Sequence, residues 1–258
     1  MHLLEEKIRA AQNQGRVALI PYVTAGFPDI PSFWPIIMEL DESGADIIEI
    51  GVPFSDPVAD GPVVEAASRQ ALQEGVNLKM ILQELQSRRK LLHAGVVLMG
   101  YYNPFLQYGL QNLVKDCFEA GVNGLIVPDL PLDEAEPMQS LLAKQDIALI
   151  ALVGPNTPKE RMQAYAEKAM GYAYVVSVMG VTGARDELPV EVTQTLRLAK
   201  ECFSIPVALG FGLREPGQLA KVEASAQPDA AVFGSALLNF LSSGGRAAEF
   251  MAKWNKKY

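Results

Sequence analysis

The stretch that decides the reading is residues 45–62, ADIIEIGVPFSDPVADGP. It begins as an apolar run, the pattern of a buried β-strand, and ends in a loop dense in Pro, Gly and Asp. Glu49 interrupts the run near its end, and Asp60 follows in the loop. Ile48 and Ile50 share one face of the strand, and Glu49 lies with Ile47 on the other. With Ile48 and Ile50 turned toward covering helices, Glu49 points into the mouth of a barrel. A carboxyl there is partly stripped of water, which raises its pKa and suits it to proton transfer. The alternative is a buried Glu paired with a structural Arg or Lys, and no base stands near it in sequence. By turn chemistry alone, Asp56 and Asp60 in SDPVADGP read as turn formers. The length of that loop instead suits a lid over a mouth.

Working outward, seven further apolar runs occupy residues 17–24, 96–101, 124–128, 147–153, 173–178, 206–210 and 230–234. Successive runs start about 30 residues apart, room for a strand, a helix and two short loops. Amphipathic helical patterns separate them. Phe33, Ile36, Ile37 and Leu40 fall on one helical face, with Gly44 as a stop; Leu78, Ile81, Leu82 and Leu85 repeat it. The basic run Arg88-Arg89-Lys90 closes that second pattern and reads as a solvated face. Further helices are predicted at 110–120, 133–145, 158–168, 189–203, 215–224 and 247–256, with an extra one at 3–13 ahead of the first strand. Eight strand–helix units without a linker or a break in composition predict an α/β fold, a (β/α)8 TIM barrel in a single domain over 1–258. An open doubly wound sheet would carry a Gly-rich fingerprint after its first strand, and PYVTAG at 21–26 is not one.

Composition narrows the function. The chain has 258 residues and a formal net charge of −8, which argues against nucleic acid or an anionic membrane as a general partner. No apolar run reaches the ~20 residues that span a bilayer, and residues 1–16 lack the apolar core of a signal peptide. Cys117 and Cys202 stand apart, in keeping with a reducing, cytoplasmic setting. His2 and His93 have no metal-ligand spacing, so no metal is expected. Lys79, Lys144, Lys159, Lys168 and Lys200 all read as helical, which leaves no strand-end lysine for a Schiff base. No P-loop or dinucleotide fingerprint occurs, so no cofactor is expected.

The other chemical signal lies near the far end of the chain. The seventh run ends in GFG at 210–212, the eighth in GSA at 234–236 leading into a helical stretch, and GVTGAR at 180–185 follows the sixth. Each glycine alone reads as a turn. As a set at these strand ends they read as a phosphate site, built from close backbone approach and a helix N-terminus. Tyr22, Tyr101, Tyr102, Tyr174 and Phe211 either hold a flat apolar group or belong to the core.

EIGVPFSDPVADGP, PYVTAGFPD, LMGYYNPF, PDLP, SVMGVTGAR, ALGFG and GSA, in this order, resemble the tryptophan synthase α-subunit family over essentially the whole chain. The resemblance implies a (β/α)8 barrel with an extra N-terminal helix. It implies a carbon–carbon lyase of tryptophan biosynthesis that cleaves indole-3-glycerol phosphate to indole and glyceraldehyde 3-phosphate. Indole would pass to a pyridoxal-phosphate β subunit in an α2β2 heterotetramer; a free-standing lyase releasing indole is the alternative. By resemblance, Glu49 and Asp60 are the catalytic pair. Asp60 accepts a hydrogen bond from the indole N–H; Glu49 protonates the indole carbon bearing the side chain and takes the glycerol hydroxyl proton. Tyr174 lies near Glu49, and Tyr22 and Phe211 flank the indole. Gly183, Gly212, Gly234 and Ser235 hold the phosphate, and Thr182 meets Asp60 when the loops at 53–60 and 179–189 close. Asp56, Pro57, Asn103, Pro104 and residues 128–131 face the β subunit. Two departures from the family pattern are Tyr22, where many members have Phe, and Val178-Met179, which replaces a more polar pair.

Overall fold

The computed structural model describes residues 1–176, 188–210 and 212–255, apart from the side chain of Leu132. Nine strands form one parallel sheet: β1 (Ala18–Thr24), β2 (Ile47–Gly51), β3 (Gly95–Met99), β4 (Gly124–Ile126), β5 (Ala148–Leu149), β6 (Ala151–Val153), β7 (Ala173–Val176), β8 (Val207–Gly210) and β9 (Ala230–Phe233). Their order is β5-β4-β3-β2-β1-β9-β8-β7-β6. The two ends of that order, β5 and β6, are one run of chain interrupted only at Ile150. Its first half pairs with β4 and its second with β7, and the Ile150 N–H still reaches Leu125 O at 2.9 Å. The sheet therefore closes on itself. The eight predicted runs make an eight-fold barrel in which the fifth strand is split.

The strands are apolar on both faces because both are buried, one inside the barrel and one under the helices. Nearly every strand residue is excluded from solvent. The helix Ile30–Glu42 buries Phe33, Ile37 and Leu40, and Asp29 caps it by accepting from Ser32 N–H at 2.8 Å. The helix Leu78–Arg88 buries Leu78, Ile81, Leu82 and Leu85, the predicted stripe. At its end, the Arg88 guanidinium lies 4.8 Å from the Trp34 ring centroid and Arg89 donates to Glu119 O, while Arg89 and Lys90 are exposed, as a solvated face requires.

Three local predictions change. A helix spans Pro62–Gln73, where none was predicted. Its buried stripe is Val64, Ala67, Ser68 and Ala71, correctly spaced but too small and polar to stand out as a hydrophobic period. The helix Tyr102–Tyr108 was hidden by Pro104 and by its shortness. The helix predicted over 215–224 contracts to Gly217–Ala220, followed by a 3-10 turn at Ala224–Ala226, because Gln218 turns its side chain back onto the preceding loop.

Below the strands, the N-terminal helix Leu3–Asn13 closes the barrel floor. His2 caps it: Nδ1 accepts from Leu4 N–H at 3.2 Å while Nε2 bonds Asp146 O at 2.9 Å. Leu4, fully buried, fills the floor against Gly95, Gly124 and Gly171, where a Cβ would meet it at 2.7, 3.0 and 3.3 Å.

Candidate active site

Adjacent parallel strands put Tyr22 of β1 in register with Glu49 of β2 and Glu49 in turn with Val97 of β3. Glu49 is 2 % exposed, and its Oε2 has no hydrogen-bond partner among the described residues. Among the described residues no base pairs with it, which counts against the structural ion-pair reading. Burial first, and the Asp60 charge second, push its carboxyl up to about 8.

Asp60 directly follows the turn at residues 58–59. It stands immediately before Gly61, the N-cap of the helix Pro62–Gln73. Tyr101, just beyond β3, fixes the loop that carries it. The Phe54 ring stacks on Tyr101 with centroids 5.1 Å apart, and the Tyr101 hydroxyl accepts from Ala59 N–H at 3.0 Å and hydrogen-bonds Asp60. Burial raises Asp60 to about 6; the Tyr101 hydroxyl lowers it and the Glu65 charge raises it. Its Oδ1 is also buried and has no partner among the described residues. Asp56, by contrast, is exposed and takes the Ser55 hydroxyl at 2.5 Å, as a turn former does.

Two tyrosine rings form the walls, and glycines make room for them. A Cβ at Gly51 would lie 2.1 Å from the Tyr22 hydroxyl, and one at Gly234 would lie 2.9 Å from the other side of that ring. The Tyr22 ring thus crosses from the end of β9 to the end of β2. Its hydroxyl meets Thr24 Oγ1 at 3.3 Å. A Cβ at Gly210 would meet the Tyr174 hydroxyl at 2.0 Å. So Gly210 and Gly234 serve ring packing, a role that sequence motifs alone did not separate from anion binding.

The cavity bounded by these groups holds about 540 Å³ and reaches from Glu49, Asp60, Tyr22 and Tyr174 to Gly212, Gly234 and Ser235. Gly212 has φ +88°, the left-handed region that favours glycine. Gly234 caps the helix Ser235–Ser242 and, as glycine, offers no side chain to that helix's first amides. Gly234, Ser235 and Ala236 line the far end of the cavity, where the amides of a helix N-terminus suit an anion. A second, more apolar lobe of about 550 Å³ meets the first at Glu49, Met99 and Tyr174 and continues along Ile126, Pro128 and Leu152. Thr182, Gly183 and Phe211, and the loop expected to close at 179–189 as far as residue 187, lie outside the described residues.

Sequence reasoning missed the work of Tyr101 and Thr24. Thr24 had a signal: a hydroxyl ending an otherwise apolar strand, two residues beyond Tyr22 and therefore on its face. Tyr101 stood out only as an aromatic residue near a strand end.

A closed parallel barrel with an acid pair at the C-terminal end of its strands, facing a helix N-terminus, defines a TIM-barrel enzyme acting on a phosphorylated small molecule. The chain matches the family model for the tryptophan synthase alpha chain over residues 8–257, and it belongs to that family. It is therefore a carbon–carbon lyase acting on indole-3-glycerol phosphate. It is 65 % identical to the tryptophan synthase alpha chain of Desulfovibrio desulfuricans across 98 % of this chain and 100 % of that one. A chain of Mycobacterium tuberculosis tryptophan synthase superposes with TM-score 0.88 at 34 % identity, covering 98 % of each. A chain of the tryptophan synthase α2β2 complex of Pyrococcus furiosus superposes with TM-score 0.84 at 36 % identity, covering 92 % of this chain and 96 % of that one.

Proposed function

We propose that Glu49 and Asp60 divide the proton work of the retro-aldol cleavage. The observation that carries this is their shared burial at different affinities: between about 6 and about 8, Glu49 holds a proton and Asp60 does not. Asp60 accepts a hydrogen bond from the indole N–H and stabilises the charge that grows there as the ring tautomerises. Neutral Glu49 delivers its proton to the ring carbon bearing the side chain. Its carboxylate then takes the proton of the neighbouring glycerol hydroxyl, and the carbon–carbon bond breaks to give indole and glyceraldehyde 3-phosphate.

Tyr22, Tyr174 and the apolar lobe hold the indole, with Phe211 completing its clasp. Gly212, Gly234, Ser235 and Gly183 take the phosphate through backbone amides and a hydroxyl, and Thr182 meets Asp60 on closure. All these residues belong to one barrel domain over 1–258. Side chains and amides carry every step, so no cofactor is assigned to this chain; pyridoxal phosphate belongs to the β-subunit reaction.

Indole passes to a β subunit in an α2β2 assembly in the cytoplasm. Val58 (79 % exposed) and Leu106 (49 % exposed) follow β2 and β3 on the mouth side, close in sequence to the exposed Asp56 and Asn103. Apolar residues so placed suit a docking face. Among the described residues no helix is long and apolar enough to cross a membrane.

The test is indole formation from indole-3-glycerol phosphate. Glu49→Gln should abolish turnover, by about 100-fold or more, while substrate still binds. Turnover near that of the unaltered protein would remove Glu49 from the mechanism. Adding a β subunit should raise turnover; full activity without one would favour the free-standing lyase.

A further inference from the structure

The phosphate end of the cavity has a cation. Arg214 lines it together with Gly212, Gly234 and Ser235, and no carboxylate among the described residues pairs with its guanidinium. The backbone beneath Arg214 is fixed. Gln218 is buried, and its Oε1 accepts from Arg214 N–H at 2.6 Å and from Glu215 N–H at 3.1 Å, while Nε2 reaches Gly212 O at 3.5 Å. One side chain thus clamps the turn from Gly212 to Glu215, with Gly212 in its left-handed conformation at one end and Arg214 facing the cavity.

The electrostatics of the cavity give this cation a task. The chain carries a net charge of −8, and Glu49 and Asp60 lie toward the opposite end of the cavity. A phosphate dianion entering such a cavity is repelled by the ionised Asp60 and by the negative charge of the chain as a whole. Backbone amides offer partial charges at short range only. A guanidinium offers a full charge and a planar fork that matches phosphate oxygens, and it attracts the dianion over several ångströms.

We propose that Arg214 is a substrate-recognition residue, which draws in and holds the phosphate of the substrate beside the amides of Gly212 and the helix Ser235–Ser242. Arg214 determines affinity for the phosphorylated substrate and takes no part in proton transfer. This rests on reading the far end of the cavity as the phosphate site, and the test separates the two.

Steady-state indole formation from indole-3-glycerol phosphate is measured for the unaltered protein, Arg214→Gln and Arg214→Lys, at low and high salt and with inorganic phosphate as inhibitor. Arg214→Gln should raise KM roughly tenfold, the loss of one charge-assisted contact, with kcat changed by less than about twofold. It should weaken inhibition by phosphate in parallel and flatten the fall of kcat/KM with salt. Arg214→Lys should recover most of the affinity. If phosphate inhibits the unaltered protein and Arg214→Gln equally, with KM and salt dependence unchanged, Arg214 has no such role and the phosphate site stands without it. If phosphate does not inhibit the unaltered protein at all, the phosphate site itself falls, and this proposal with it. Arg214→Gln is an exposed substitution and leaves the Gln218 clamp on the backbone intact, so folding is not at stake.

Discussion

Glu49 and Asp60 are the same chemical group in two surroundings. Both lose water, but only Asp60 gains a hydroxyl, from Tyr101, so its charged form is held at neutral pH and that of Glu49 is not. This difference has a cost in stability with a definite sign. The ordinary value for Glu49 is 4.5, and in the fold it is about 8. Between those values the native state binds a proton that the unfolded chain has released, so stability falls as pH rises through that window and the whole penalty is present above it. Glu49→Gln does not titrate. The variant should therefore gain on the unaltered protein progressively from about pH 5 to about pH 8, reaching on the order of a few kcal/mol. Urea unfolding of both proteins across that range measures it, and a difference constant with pH would show that Glu49 is not held protonated. From sequence, Glu49 was readable because a carboxylate inside an apolar run needs either a function or a paired base, and no base stands near it in sequence. Asp60 was not, because what sets its environment is Tyr101, which lies 41 residues away in sequence and comes near only when β2 and β3 pair.

At the scale of elements, the barrel was legible because parallel strands buried on both faces are written as apolar runs, and helices as stripes. What escaped was written in small residues: the helix Pro62–Gln73, with its Ala and Ser stripe, and the glycines at strand ends. Gly51, Gly210 and Gly234 look alike in sequence, yet each is fixed by a ring that crosses it from a neighbouring strand, a relation of register rather than of motif. Gly51 gives the cleanest test. A methyl there would lie 2.1 Å from the Tyr22 hydroxyl and 2.6 Å from its Cζ, so the ring must shift into the cavity. Gly51→Ala should cost about 1–3 kcal/mol by overpacking and weaken substrate binding. Adding Tyr22→Phe removes the hydroxyl but leaves Cζ, so it should restore only part of the stability. Urea midpoints of the single and double variants decide this: full recovery would mean that the hydroxyl alone made the clash, and no loss in Gly51→Ala would mean that the ring is not where the packing places it.

Taken whole, the molecule divides its work between the two ends of the barrel. At the floor, polar groups are paired. Asp46 holds Arg16 through two contacts of 2.6 and 2.8 Å and also takes Leu19 N–H, while Asp229 takes Lys200 and Val207 N–H at 2.9 and 2.7 Å. At the mouth, Glu49 Oε2 and Asp60 Oδ1 have no partners among the described residues. Buried polar atoms without partners are costly, and the closed floor supplies the stability against which that cost is borne. Leu4 is the floor's central side chain, fully buried against three glycines of separate strands and turns. Leu4 fills the space that those glycines leave, so Leu4→Ala should open a cavity and lower stability by about 2–5 kcal/mol. The mouth lies at the opposite end of the strands, and its geometry is set by Tyr22, Tyr101 and the strand-end glycines. At a temperature where the variant is fully folded, its KM for indole-3-glycerol phosphate should match that of the unaltered protein. Urea unfolding together with indole-formation kinetics tests the division. A stability loss accompanied by a changed KM would show that floor and mouth are mechanically coupled, and an unchanged midpoint would show that the extra N-terminal helix does not seal the barrel.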